Sequence, residues 1–318
     1  MRKLHLVSNL APTLALALLL PLATLVPAAH ACGNDAEHQM PLPMPDPIRE
    51  VINGEVYTHT RAWDESRISE MRAAINTVKT LVTSHPGQSW MYWDNLALSL
   101  IRTGQAAEAL AVLDDKDRYL ASVQLDDSAL RMARVWSHGN RGTAWLALGD
   151  EANALASFQA AVAADPEAHG GREWAHIQLM RYELNVERYP ALASADFLGV
   201  QYRATGEGRV SAARELAETL ADLITNGSRP EDDRWIYFAL GRALEAGERK
   251  GDASFAYRRA EVLGHPHAGA AHDALGAAGS SREVADSFWE RGQQEVRRRQ
   301  AVEVASLTKV ATRTKRRK

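Results

Sequence analysis

A single cysteine, Cys32, stands in a chain of 318 residues, so no disulfide can close within one molecule. Long β-branched runs are scarce while alanine is abundant, which favours helices over strands. The linear signatures of common enzyme classes are missing as well. There is no G-x-S-x-G elbow, no Gly-rich phosphate loop, no H-E-x-x-H pair and no thiol-histidine arrangement. No catalytic residue and no cofactor are therefore expected, although groups that meet only in space leave no such trace.

The N-terminus carries more information. Arg2 and Lys3 precede an uncharged apolar stretch from Leu10 to Ala29, and Ala29-His30-Ala31 places small residues where a signal peptidase reads. Residues 1–31 read as a secretory signal peptide, with Pro12 and Pro21 interrupting what would otherwise span a membrane. Cys32 follows at once and is the candidate lipidation site. Two outcomes stay open: anchoring as an acylated lipoprotein, or release into the periplasm. Ala29 and His30 depart from the usual lipobox residues, which favours release. Residues 32–62 read as a linker rich in proline (Pro41, Pro43, Pro45, Pro47) with a short hairpin signal. Asn53-Gly54 between Val51-Ile52 and Val56-Tyr57 gives that signal, a small extended decoration leaning on the first helix.

Charge is uneven. Residues 291–318 hold ten Arg or Lys against Glu295 and Glu303, a balance of +8, while 32–290 carry −13. An acidic body with a basic tail is the outline, and the tail is a candidate contact for an anionic envelope surface. Nucleic acid is not expected as a partner of an exported chain.

From Asp64, a candidate N-cap, Ile68, Met71, Ile75, Val78 and Val82 recur at helical spacing until His85-Pro86-Gly87. A more specific pattern follows. Counting from Gly142, Trp145 falls at +3, Gly149 at +7, Ala154 at +12, Phe158 at +16, Ala161 at +19 and Pro166 at +24. Small residues at Gly142 and Ala154 let two helices approach, Trp145 and Phe158 fill the gap between them, and Gly149-Asp150 turns the chain. The same offsets recur from Ala97 (Leu100, Gly104, Ala109, Leu113) and from Gly241 (Leu244, Ala253, Tyr257, Ala260).

This spacing resembles the tetratricopeptide repeat, and the run from Ala260 to Ala268 is also similar to Sel1-like repeats. The resemblance implies an all-α solenoid of helix-turn-helix units over 63–278, clearest near 90–123, 135–168 and 234–267. Residues 173–226 form a degenerate pair with an irregular connection near 188–207. A C-terminal helix over 279–307, opened by Ser280-Ser281-Arg282-Glu283, and a disordered basic tail over 308–318 complete the layout.

The resemblance also implies a concave face lined by the first helix of each unit, where a partner protein or peptide lies. On that geometry Asp94, Asn95, Leu98 and Arg102 face the partner from the first unit, Trp136 and Asn140 from the second, and Trp235, Phe238 and Arg242 from the third. Exposed Trp and Arg are favoured anchors of protein interfaces. Relatives that hold C-terminal carboxylates use a Lys and Asn pair where this chain has Asp94 and Leu98, so that mode is not expected. A competing reading is metal handling. His265, His267 and His272 are weak candidates for Zn or Cu, and His38, Met40 and Met44 supply soft ligands in the linker. The leading expectation is a non-catalytic interaction module of the bacterial cell envelope.

Overall fold

The structure, a computed structural model, describes residues 47–54, 56, 59–80, 89–167, 173–186, 207–225 and 234–315. The expected leader, Cys32, the His38, Met40 and Met44 segment, the stop at His85-Pro86-Gly87 and almost all of the 188–207 connection lie outside the described residues.

Among the described residues every regular element is a helix. In chain order these are α1 (Pro47–Asn53), α2 (Arg61–Thr80), α3 (Met91–Arg102), α4 (Ala106–Ser122), α5 (Asp127–Ala147) and α6 (Glu151–Ala164). They continue as α7 (Glu173–Val186), α8 (Glu207–Thr225), α9 (Arg234–Ala246), α10 (Lys250–Val262), α11 (Ala268–Ala274) and α12 (Arg282–Lys315). From α2 to α11 each helix packs on the next in sequence, the arrangement of an all-α helical repeat solenoid.

The three recognisable pairs are α3–α4, α5–α6 and α9–α10, and their shared offsets have a common packing reason. Ala109, Ala154 and Ala253 are each fully buried where the second helix crosses the first. Four residues on, Leu113, Phe158 and Tyr257 fill the crossing and are also fully buried. Gly142 and Gly241 lie directly against the rings of Phe158 and Tyr257. Ala97 takes that place opposite Leu113, where the smaller aliphatic side chain leaves room for a methyl group.

The turns repeat as closely as the crossings. Gly104 (φ 84°), Gly149 (φ 77°) and Glu248 (φ 65°) each sit seven residues after the small residue, in the left-handed region. Each turn is closed by the same two backbone bonds. Gly149 N donates to Leu146 O at 2.9 Å and Asp150 N to Trp145 O at 2.9 Å, and Glu248 N and Arg249 N repeat the pair to Glu245 O and Leu244 O. Asp150 then caps α6 by accepting from Asn153 N at 3.0 Å.

The N-terminal segment departs from expectation. Val51 to Asn53 belong to α1, so no hairpin forms there. Pro47 starts the helix at a position that needs no N–H, and Gly54 (φ 71°) ends it, its N donating to Val51 O. The Asn53-Gly54 pair thus serves a helix end rather than a hairpin turn. Nor does α1 lean on the first repeat helix. It packs on α8, α10 and α12, where Ile48, Val51, Ile52 and Val56 join the largest apolar core with Leu220, Leu240 and Tyr257.

Two further boundaries shift. Thr60, not Asp64, caps α2, its Oγ1 accepting from Trp63 N at 3.3 Å, while Asp64 is buried inside the first turn. The C-terminal helix does not end at 307: α12 runs to Lys315, so the basic stretch before the last three residues is helical rather than disordered. Lys and Arg at a helix C-terminus complement its dipole, and no Gly or Pro follows Leu307 to stop it. Ser281 opens the helix, its Oγ accepting from Val284 N. Further on, α12 reaches α2: Glu303 binds the His59 ring and accepts from Thr60 N at 2.9 Å. With α1 set into the C-terminal core, this joins the two ends of the solenoid.

Candidate functional site

The nine residues expected on the concave face separate into two groups. Asp94, Asn95, Leu98, Trp136, Asn140 and Phe238 are all buried, none above 6% exposure, which takes them away from any partner. Trp235 is half-buried, and Arg102 and Arg242 are exposed. The correction has a physical cause in the first two units, where the inward-facing side chains are consumed by a polar core.

That core is centred on Lys116, which is fully buried. Its ammonium group binds Asp94, donates to Ala133 O at 2.8 Å and lies 4.8 Å from the Trp90 ring. Asp94 also accepts from Asn140 Nδ2 at 3.1 Å. Trp136 closes the site edge-on to Trp90, with ring centroids 5.5 Å apart. Burial pushes the Asp94 carboxyl up and the Lys116 ammonium down, and each charge holds back the shift of the other. An ion pair this dry is a packing device linking α3, α4 and α5 rather than a surface for recognition.

Sequence reasoning missed Lys116, yet its signal is plain in retrospect. It stands at +19 from Ala97, the place taken by Ala161 and Ala260 in the other two pairs. It also lies on the α4 stripe formed by Ala109, Leu113 and Leu120, all buried. A lysine on such a stripe needs a buried carboxylate, and Asp94, three residues before Ala97, supplies it.

The third unit keeps an accessible face. Trp235 stands edge-on to Tyr182 of α7, centroids 5.4 Å apart, and to His265, 4.8 Å away. The Arg234 guanidinium lies 5.0 Å from the Trp235 ring, and the exposed Arg242 follows two turns along the same helix. Arg102 is far along the chain from this group and approaches Asp64 at 3.7 Å.

The histidine candidates do not converge on a metal. His265 is 4% exposed and stacks on Phe238 with centroids 3.9 Å apart. Its Nδ1 accepts from His267 N at 3.2 Å, so the proton of the neutral ring sits on Nε2. Burial, reinforced by His267 and Arg234, pushes its pKa down to about 3. The His267 ring is 6.2 Å away, and His272 approaches Asp273, which Arg282 already engages. Among the described residues no three His, Cys, Asp or Glu side chains gather as metal ligands. No described helix is long and apolar enough to cross a membrane.

Compared with protein-family models, curated proteins and solved structures, the chain matches none. The repeat geometry and the surface of its third unit are therefore the basis for a functional reading.

Proposed function

We propose that the protein is a non-catalytic interaction module of the bacterial cell envelope. It is built on tetratricopeptide-like repeats and holds a protein or peptide partner on the face around Trp235. One observation carries the reading: a half-buried tryptophan braced by Tyr182 and His265 lies between Arg234 and the exposed Arg242. A rigid aromatic ring with flanking guanidinium groups is the composition that interface anchors favour, because it gives large contact area at low entropic cost. The surrounding solenoid supports this by fixing the ring between two helices rather than on a loop. Delivery to the envelope rests on the leader-like residues 1–31, with Cys32 available for lipid attachment.

Affinity purification from envelope extracts tests the reading with Trp235→Ala and Arg242→Glu beside the unaltered chain. Partner loss in both variants with an unchanged thermal melt is expected. Trp136→Ala serves as the contrast, since this fully packed side chain affects stability first. Undiminished partner recovery by both surface variants would place the interface elsewhere.

A further inference from the structure

A cavity of about 290 Å³ opens between α1, α10 and α12, walled by Ile52, Phe255, Val262, Ala285 and Trp289. Arg258, Arg259, Asp286 and Glu290 also line it, and among the described residues Arg259 has no carboxylate partner. The Arg259 guanidinium sits 4.0 Å from the Trp289 ring centroid and 5.9 Å from that of Tyr237. Its Nε is buried and has no hydrogen-bond acceptor.

The nearby carboxylates are already committed. Arg258 takes both oxygens of Asp286, at 2.8 Å each, and Glu261 is shared by Arg258 and Arg282. Only Glu290, exposed at the rim, remains among the cavity's acidic groups. Val262, 55% exposed, lines the opening, and the lining Phe255 stands edge-on to Phe288 with centroids 5.4 Å apart. A guanidinium without a carboxylate partner on the cavity wall and the exposed Val262 beside it call for the same ligand.

We propose that this cavity binds a small monocarboxylate bearing an alkyl or aryl tail. The carboxylate accepts from the Arg259 guanidinium, and the tail lies along Trp289 and Phe255. The cavity volume suits a small ligand. The site is separate from the Trp235 face, so each stands or falls without the other.

Calorimetric titration of the full chain with octanoate and 4-phenylbutyrate, confirmed by ligand-observed NMR, tests the proposal, with octanol and octylamine as charge controls. Saturable one-to-one binding of the acids is expected, with the alcohol and amine weaker by about tenfold or more. Arg259→Gln weakens the acids by a similar factor, and Arg259→Lys restores only part, because an ammonium cannot offer a planar fork. Val262→Glu, at a well-exposed position one turn from Arg259, supplies an internal carboxylate and abolishes uptake without disturbing the fold. No saturable binding at millimolar acid would overturn the proposal. So would equal binding of octanol, or unaltered binding in a folded Val262→Glu variant.

Discussion

A β-carbon added at Gly142 would stand 2.5 Å from Cε1 of Phe158, closer than any real side chain is held. Gly241 and Tyr257 repeat the relationship in the third pair, with an even closer approach. In both, a fully buried ring lies against bare backbone and leaves no room for a side chain at the glycine. The offset of sixteen residues is the sequence image of that crossing.

Gly142→Ala is therefore expected to destabilise the chain by about 1–3 kcal/mol through overpacking, measured by urea denaturation. Phe158→Ala is expected to cost more, about 3–5 kcal/mol, because it leaves a ring-sized void in a site that cannot collapse. Combining Gly142→Ala with Phe158→Leu relieves the clash, so the pair costs less than the two single changes summed. Strict additivity would show that the glycine and the ring do not share one contact.

Legibility followed from how local each feature is. The crossings and turns of the three clear pairs were readable because they rest on residue size and backbone conformation within one unit. Gly142, Ala154 and Phe158 encode them directly. The fate of the inward-facing side chains was not readable, because Asp94 and Asn140 are claimed by Lys116, a contact across three helices. The Asp114-Asp115-Lys116-Asp117 run looks solvated in linear sequence, and only the α4 stripe sets Lys116 apart. The position of α1 was hidden for a similar reason: Ile48, Val51 and Ile52 require burial, but nothing local says that helices far along the chain, such as the one holding Leu220 and the one holding Tyr257, provide it.

Glu248 occupies the turn position that Gly104 and Gly149 fill in the other pairs, yet it carries a side chain at φ 65°. A left-handed conformation costs a non-glycine residue roughly 1–2 kcal/mol. Glycine there gives back part of that gain through its freer unfolded chain, about 0.5–1 kcal/mol. Glu248→Gly is thus expected to stabilise the protein by about 0.5–1 kcal/mol, read as a higher denaturation midpoint with an unchanged slope. A lower midpoint would mean that the glutamate side chain contributes more than its backbone costs.

The Lys116–Asp94 pair predicts a strongly non-additive double-mutant cycle. Lys116→Met leaves Asp94 buried without its main partner, and Asp94→Leu strands the ammonium; each is expected to cost about 3–5 kcal/mol. The double variant replaces two desolvated charges with apolar side chains of similar reach and is expected to recover most of that loss. Equilibrium denaturation of the four proteins measures the coupling. A double variant as unstable as the sum of the singles would deny that the two charges depend on each other.

His265 sets a pH window for stability. In the unfolded chain a histidine titrates near its ordinary value of about 6.5, whereas burial against Phe238 and Trp235 holds the folded ring neutral down to about pH 3. Between those values the unfolded state binds the extra proton, so stability is complete above pH 6.5 and falls as the pH is lowered through this range. His267 and Arg234 face the same ring and add to the cost of charging it in the fold. One such group contributes a slope of up to about 1.4 kcal/mol per pH unit. His265→Phe keeps the stacking on Phe238 and removes the titration, so its stability profile from pH 6.5 toward 4 should be flatter than that of the unaltered chain by this amount. Urea denaturation at each pH measures it, and parallel profiles would show that the ring charges in the folded state as readily as in water.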